Sequence, residues 1–428
     1  MSKRTHLHPS DLQGLGRLSI EAVTQVTHLV ESLHHTITQT PAPLGAARPG
    51  ATAGITGLVY RSIRGVTALV GGTLEMALAR LQPLLRADAP ALPSAEREAV
   101  LAALNGVLGD HLAASGNPLA ITMRLRCDGL VLQPAAVADA GSKIAVLVHG
   151  LCMNDRQWGR LRGASDAVRA VDGKRLQPSQ SVRAAGCERS SDAAAALLSE
   201  LGYRVLHLHY NSGCHISHNG REFADTLQML LAQWPQPVHE IVLIGHSMGG
   251  LVARSACHYA AVAGHEWLAK LRAMVFLGSP HHGAALERGG NGLDVVLGAS
   301  PYTAPLARLG KLRSAGITDL RYGNVRDEDW LGQNRFARTG DRRQPLALPP
   351  HVRCFAVAAS TGKQSGDLSD RVLGDGLVSV DSALGRHCDP ARALAIPESR
   401  QWIGYGINHL QLLHQPAVYA QLRRWLED

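Results

Sequence analysis

Ser247 stands in Gly245-His246-Ser247-Met248-Gly249, between the apolar run Ile241 to Ile244 and an apolar, helix-permitting segment. G-x-S-x-G at a strand-to-helix junction is the context in which a serine can be raised as a nucleophile. The reason is steric. A serine on so sharp a turn tends toward a strained backbone conformation, and its neighbours two residues away must be small. Its Oγ then stands clear of the sheet, beside the N-terminus of the next helix. The N–H groups there can stabilise a developing oxyanion. The plain alternative is a tight turn that happens to contain a serine.

A serine hydroxyl needs a base, usually a histidine oriented by a carboxylate. For a nucleophile on this kind of turn the chain order is Ser, acid, His. The chain has 21 histidines, and position narrows the choice. His409, in "YGINHLQLLHQPAVYAQLRRWL", follows the last strand signal and precedes a C-terminal helix. His414 falls in the next helical turn, and His387 lies too close to the acid region to suit a separate final loop. For the acid, "SDRVLGDGLVSVDSALG" offers Asp370, Asp375 and Asp381. Asp375, between two glycines, has the loop placement suited to facing a histidine, and Asp381 is second. Asp-Gly as a mere turn is the competing explanation.

A further oxyanion donor is needed from another strand end. "VLVHGLCMNDRQW" offers the backbone N–H of Leu151, just past His149-Gly150. His149 reads as structural support for that loop, and Asn154 or Asp155 as the cap of the turn that follows. Asn211 and Ser212 could line a pocket, although a turn before a helix explains them more simply. His281 and His282 are adjacent on a loop, so they are poorly placed to converge on one ion, and no third ligand is evident. No metal or cofactor is expected.

These residues need strands to carry them. "KIAVLVHG", "YRVLHLHY", "EIVLIGHS", "AMVFLGSP" and "VRCFAVAAS" are near-continuous apolar strands. Helical segments such as "GREFADTLQMLLAQW" and "GLVARSACHYAAVAG" fall between them. That alternation predicts a mostly parallel sheet covered on both faces. Before it, "LAITMRLRCDGLVLQP" holds the hairpin signal Asp128-Gly129 and predicts antiparallel edge strands. Residues 1–115 carry three helical stretches, one of them "SAEREAVLAALNGVLGDHL". Two long polar insertions run from about 159 to 191 and from about 283 to 350. The second follows a strand end, where active-site loops of open α/β sheets gather.

At 428 residues, with 45% hydrophobic and 18% charged residues, the chain suits a large globular domain with an extension. The net charge of +8 is scattered and comes with no nucleic-acid motif, which argues against nucleic acid as a partner. It suits contact with an anionic membrane surface. Seven cysteines without a C-x-x-C pair suggest neither a disulfide framework nor a zinc site. No run reaches the roughly 18 apolar residues of a membrane span. The opening "MSKRTHLHPSDLQG" has no apolar signal region, which points to the cytoplasm, with peripheral membrane contact through the N-terminal helices.

Taken together, "VHGL", "GHSMGG", "GSPHHGA", "DGLVSVDS" and "NHLQLL", in that order over residues 143–415, resemble the α/β-hydrolase superfamily. Within it the chain is similar to bacterial lipases and to the lipase-like domain of GPI inositol-deacylases. The resemblance implies an α/β-hydrolase domain over 116–428 with a lid-like insertion, preceded by an N-terminal helical extension over 1–115. It implies Ser247 as nucleophile, Asp375 as acid, His409 as base, and Leu151 and Met248 as backbone oxyanion donors. Some such lipases use calcium, for which this sequence offers no identifiable ligands. The activity implied is hydrolysis of carboxylic esters, lipid-like acyl esters in particular. Acyl transfer or thioester hydrolysis would use the same residues, and a lipid-binding protein that has lost the chemistry is the reading from another class.

Overall fold

The computed structural model describes residues 10–22, 24, 95–137, 140–158, 193–284, 313–337, 340–364 and 374–427. The second N-terminal helical stretch, the 159–191 insertion and Asp370 lie outside them. The chain forms two compact units, residues 1–98 with 112–120, and residues 99–111 with 121–428. In the first unit a helix, α1, spans residues 10–22. Arg97 grips Asp11 on α1 through two hydrogen bonds of 2.6 Å. The Asn117 amide donates to the Gly14 carbonyl at 3.1 Å. Helix α2, Ala95–Ala114, contributes residues 99–111 to the second unit.

The second unit is built on an eight-stranded sheet in the order β2-β1-β4-β3-β5-β6-β7-β8. The strands are β1 (Arg124–Cys127), β2 (Leu130–Val131), β3 (Lys143–Val148), β4 (Arg204–His209), β5 (Glu240–His246), β6 (Leu271–Leu277), β7 (Arg353–Ser360) and β8 (Gln401–Tyr405). Strands β3 to β8 run parallel, and β1 joins β4 antiparallel. Asp128 and Gly129 both take positive φ, 52° and 78°, in the two-residue turn between β1 and β2. The turn twist thus matches the strand twist, as a hairpin of this length requires. The five long apolar runs became β3 to β7. β8 was not among them: its five residues, Gln-Trp-Ile-Gly-Tyr, bury less and alternate weakly.

Both faces of the central strands are buried, which is why those strands read as continuous apolar runs. Ile144, Val146 and Val148 face one core with Leu243, Phe276 and Ala356. Helices α4 (Ile216–Gln233) and α5 (Met248–Ala263) cover that side with Phe223, Leu227, Leu251 and Val252. Ala145, Leu147, Ile244 and Val357 face the other core. There α3 (Ala193–Glu200) and α6 (Pro416–Glu427) supply Leu197, Leu198, Val418 and Leu422.

The described part of the second insertion is bonded into this unit. The buried Asp319 carboxylate accepts from the Ile216 N–H (2.9 Å) and the Asn324 amide (3.1 Å), and it pairs with the His215 ring (3.0 Å). The Ser255 hydroxyl donates to the Val325 carbonyl at 2.6 Å. Among the described residues, no helix is long and apolar enough to cross a membrane.

The strand order reverses between β4-β3 and β5-β6. In open α/β sheets such a switch point opens a crevice at the carboxyl ends of the strands, between loops that leave in opposite directions. Here those loops follow β3 and β5, and they carry Leu151 and Ser247. The scaffold beneath depends on side chains such as Phe223, which is fully buried. Phe223→Ala should cost about 3–5 kcal/mol. Urea unfolding would check this, and a loss below about 1 kcal/mol would contradict the packing described.

Candidate active site

Ser247 has φ 54° and ψ −124°, a positive φ for a residue with a side chain. Its strain is offset locally. The Ser247 N–H donates to the carbonyl of Leu277, the last residue of β6, at 2.8 Å, and its own carbonyl accepts from the Gly250 N–H at 3.1 Å. The small residues have a specific purpose. A Cβ at Gly249 would lie 2.2 Å from the Val148 carbonyl oxygen, so only glycine lets α5 start against the end of β3. Met248 is the first residue of α5, where N–H groups have no acceptor within the helix.

The loop after β3 comes up beside this turn. A Cβ built at Gly150 would sit 3.1 Å from the Ser247 Cβ. Leu151 follows, then Cys152 with φ 58°. His149 begins the loop as a fully buried ring stacked on Tyr210, centroids 4.3 Å apart. Its Nδ1–H donates to the Gly150 carbonyl at 2.9 Å. Burial pulls its pKa down to about 3, so it stays neutral. That is a supporting role. Asn154 caps the following turn by accepting from the Arg156 N–H, while Asp155 pairs with Arg126 at 3.0 Å.

His409 lies on the turn after β8, and Asp375 on the segment after β7. Their side chains meet, Nδ1 to Oδ2, at 2.6 Å, with His409 5% and Asp375 1% exposed. The other carboxylate oxygen of Asp375 accepts from the Leu377 and Val378 N–H groups at 3.0 and 2.8 Å. The His409 N–H donates back to the Asp375 carbonyl at 3.1 Å. A carboxylate so placed holds the proton on Nδ1 and leaves Nε2 as the basic nitrogen. Asp381 is not at this contact: its carboxylate is largely exposed and lies 3.8 Å from Arg386. His387 neighbours His282 instead, ring centroids 4.8 Å apart.

Two residues that sequence reasoning passed over tie these parts together. His246 donates Nε2–H to the carbonyl of His409 at 3.0 Å, and the two rings lie 4.8 Å apart. Burial, and then the nearby His409, hold its pKa well below the usual histidine range. Its place inside the Gly-His-Ser motif was the available signal. Gly278, with φ 60°, follows the residue that pins Ser247. A Cβ there would lie 3.2 Å from both Asp375 Oδ2 and His409 Cε1, and 2.8 Å from Leu412. The gap between the end of β6 and the His409 turn is thus a glycine-sized one.

The rings of His281 and His282 have separate neighbours, Arg254 for the first and His387 for the second. His281 is buried against the Arg254 guanidinium at 3.3 Å, and burial plus that cation lower its pKa strongly. Asn211 and Ser212 brace neighbouring backbone. Ser212 Oγ accepts from the Cys152 N–H at 3.1 Å, and Asn211 makes the turn before α4.

The neutral buried histidines set an acid limit. An unfolded chain takes up these protons near pH 6.5, and the fold excludes them until far lower pH. Stability is therefore full above about pH 6.5 and falls as pH drops toward about 3 for His149. The slope should approach about 1.4 kcal/mol per pH unit for each such histidine. His149→Gln should flatten the pH dependence of Tm between pH 6.5 and 4.5. An unchanged slope would show that His149 is not excluded from protonation.

The model of the PGAP1-like alpha/beta domain matches residues 140–330, which include Leu151 and Ser247 but not Asp375 or His409. Among solved structures, the chain is similar to a lipase of Bacillus licheniformis in propeptide form, at 17% identity over 71% of this chain and 53% of that one, TM-score 0.38. It is similar to phospholipase PlaB of Legionella pneumophila, at 17% identity over 56% and 44%, TM-score 0.31. An alpha/beta hydrolase superfamily protein of Enterococcus faecalis gives 18% identity over 69% and 93%, TM-score 0.37. The chain thus spans about half the length of the first two. No curated protein matches. With its parallel sheet, its reversal of strand order and its strained serine turn, the chain has the α/β-hydrolase fold, and its residues 140–330 match the PGAP1-like alpha/beta domain.

Proposed function

We propose that the protein hydrolyses carboxylic esters through Ser247, His409 and Asp375. The observation that carries this reading is the buried 2.6 Å pair between His409 Nδ1 and Asp375 Oδ2, on the loops at the carboxyl ends of the strands, where Ser247 is held at positive φ. A buried His–carboxylate pair is common in proteins. One that packs on Gly278, directly after the residue that pins a raised serine, has a chemical use.

In this mechanism Ser247 Oγ attacks the ester carbonyl while His409 Nε2 takes its proton. The carbonyl oxygen becomes an oxyanion and accepts from the backbone N–H groups of Leu151 and Met248. His409 then gives its proton to the departing alkoxide, leaving an acyl-serine. Water attacks that ester, again with His409 as base, and releases the acid and free Ser247. Asp375 stays ionised throughout and stabilises the imidazolium. The likeness of "VHGL", "GHSMGG" and "GSPHHGA" to lipase motifs supports lipid-like acyl esters as the substrate class. Peripheral contact with a lipid surface would be made through the N-terminal helices, favoured by the net charge of +8.

Ser247→Ala should lower turnover of p-nitrophenyl esters by at least about 10³-fold in a protein of unchanged circular dichroism, and should abolish fluorophosphonate labelling. Asp375→Asn should lower kcat by about 10⁴-fold by favouring the wrong tautomer of His409. Full activity in either folded variant would sink the mechanism. Gly278→Ala should lower kcat by about tenfold or more, because its methyl meets the His409–Asp375 pair at a positive φ. Retained turnover there would show that the pair tolerates displacement.

A further inference from the structure

Residues 99–111 of α2 lie outside the stretch that matches the PGAP1-like domain, yet they belong to the sheet unit. Their contacts in that unit are unusually close. A Cβ at Gly106 would fall 2.2 Å from Cys152 Sγ and 2.9 Å from the Cys152 N and Cα. A Cβ at Gly109 would fall 1.8 Å from Asn211 Oδ1. Gly213 faces back, its Cβ position 2.1 Å from the Asn105 carbonyl oxygen and 2.7 Å from the Gly109 N. The Asn211 amide donates to the Gly109 carbonyl at 2.8 Å, and the Ser314 hydroxyl donates to the Gly106 carbonyl at 2.6 Å. The glycines of the helix therefore pack directly on the loops after β3 and β4, on Cys152, on the Asn211 side chain and on Gly213.

One of those loops carries Leu151. It is anchored at both ends. At its start the Tyr210 hydroxyl donates to the His149 carbonyl at 2.8 Å. At its end Cys152 is held at φ 58°, a conformation that an L-residue keeps only when its surroundings enforce it. The enforcing contacts are the Ser212 hydroxyl on the Cys152 N–H at 3.1 Å and the Gly106 backbone on its other side. The Cys152 thiol points at the Ala103 carbonyl of the same helix, 3.9 Å away. Between the two anchors only Gly150 and Leu151 remain, so the anchors fix the direction of the Leu151 N–H.

We infer that Gly106 and Cys152, with Ser212 opposite, are positioning residues that aim the Leu151 N–H at the transition-state oxyanion, and that α2 is the wall against which this is done. The inference rests on the ester-hydrolase reading of the site. It gives residues 99–111, within the helical extension expected over 1–115, a part in the site. Oxyanion donors act only when they sit about 2.7–3.1 Å from the oxygen. A displacement of about 1 Å can cost 100-fold in rate.

In the full chain, Gly106→Ala should lower kcat for p-nitrophenyl acetate by about 10- to 100-fold and leave KM unchanged. Its affinity for a trifluoromethyl ketone, a transition-state mimic, should fall by the same factor. Adding Cys152→Gly removes the sulfur and suits the positive φ, so the double variant should recover part of the loss. If Gly106→Ala does not fold, Ser212→Ala loosens the loop from the opposite side, and about tenfold lower kcat at constant KM is expected. A folded Gly106→Ala with wild-type kcat overturns the inference. So does a loss that raises KM equally and is not relieved by Cys152→Gly, or an unchanged kcat in Ser212→Ala where that variant is the test. A wild-type protein that neither turns over esters nor reacts with a fluorophosphonate removes the hydrolase reading itself. Fluorophosphonate labelling of Ser247 in all variants keeps the two failures apart.

Discussion

The backbone of Ser247 occupies a conformation that a residue with a Cβ takes only when its neighbours compel it. Much of the sheet edge consists of that compulsion. β6 supplies the carbonyl that holds the Ser247 N–H, and β3 ends where α5 must begin, which leaves room only for Gly249. The switch in strand order puts the β3 and β5 loops side by side, so Gly150 meets the serine. Were any of these supports absent, the turn could relax to an ordinary one, and the hydroxyl would lose its clearance from the sheet.

Around this strained point the site keeps its charges few. His149, His246 and His281 are buried and held neutral by the cost of charging them in a dry interior. Two of these neutral rings still act as directed donors, His149 toward the Gly150 carbonyl and His246 toward the His409 carbonyl. The carboxylate of Asp375, which faces His409, has each oxygen occupied by N–H donors. A site built this way aims dipoles without setting competing charges against the one proton that the proposed mechanism moves.

The sheet was largely legible because β3 to β7 are buried on both faces and so leave unbroken apolar runs. The hairpin was legible because Asp-Gly is among the few pairs that accept positive φ twice. β8 was obscure for the opposite reason: as an edge strand it need not be apolar. Ser247, Asp375 and His409 could be named from motif context and chain order. What packs around them could not, because it consists largely of backbone contacts. No periodicity announces that Gly278 faces Asp375, or that Gly106, in a helix that scans as ordinary, touches Cys152. His246 could have been found, since a histidine beside a raised serine invites the question of what its ring holds.

The bond between His246 and the His409 carbonyl joins residues 163 positions apart. Synthesis proceeds from the N-terminus, so the serine turn leaves the ribosome long before the segments that would activate it. The chain can assemble β3 to β6 around a hydroxyl with no base beside it. In the proposed mechanism, reactivity would arrive only when the last strand and α6 have docked, and the serine would stay idle until the sheet is complete.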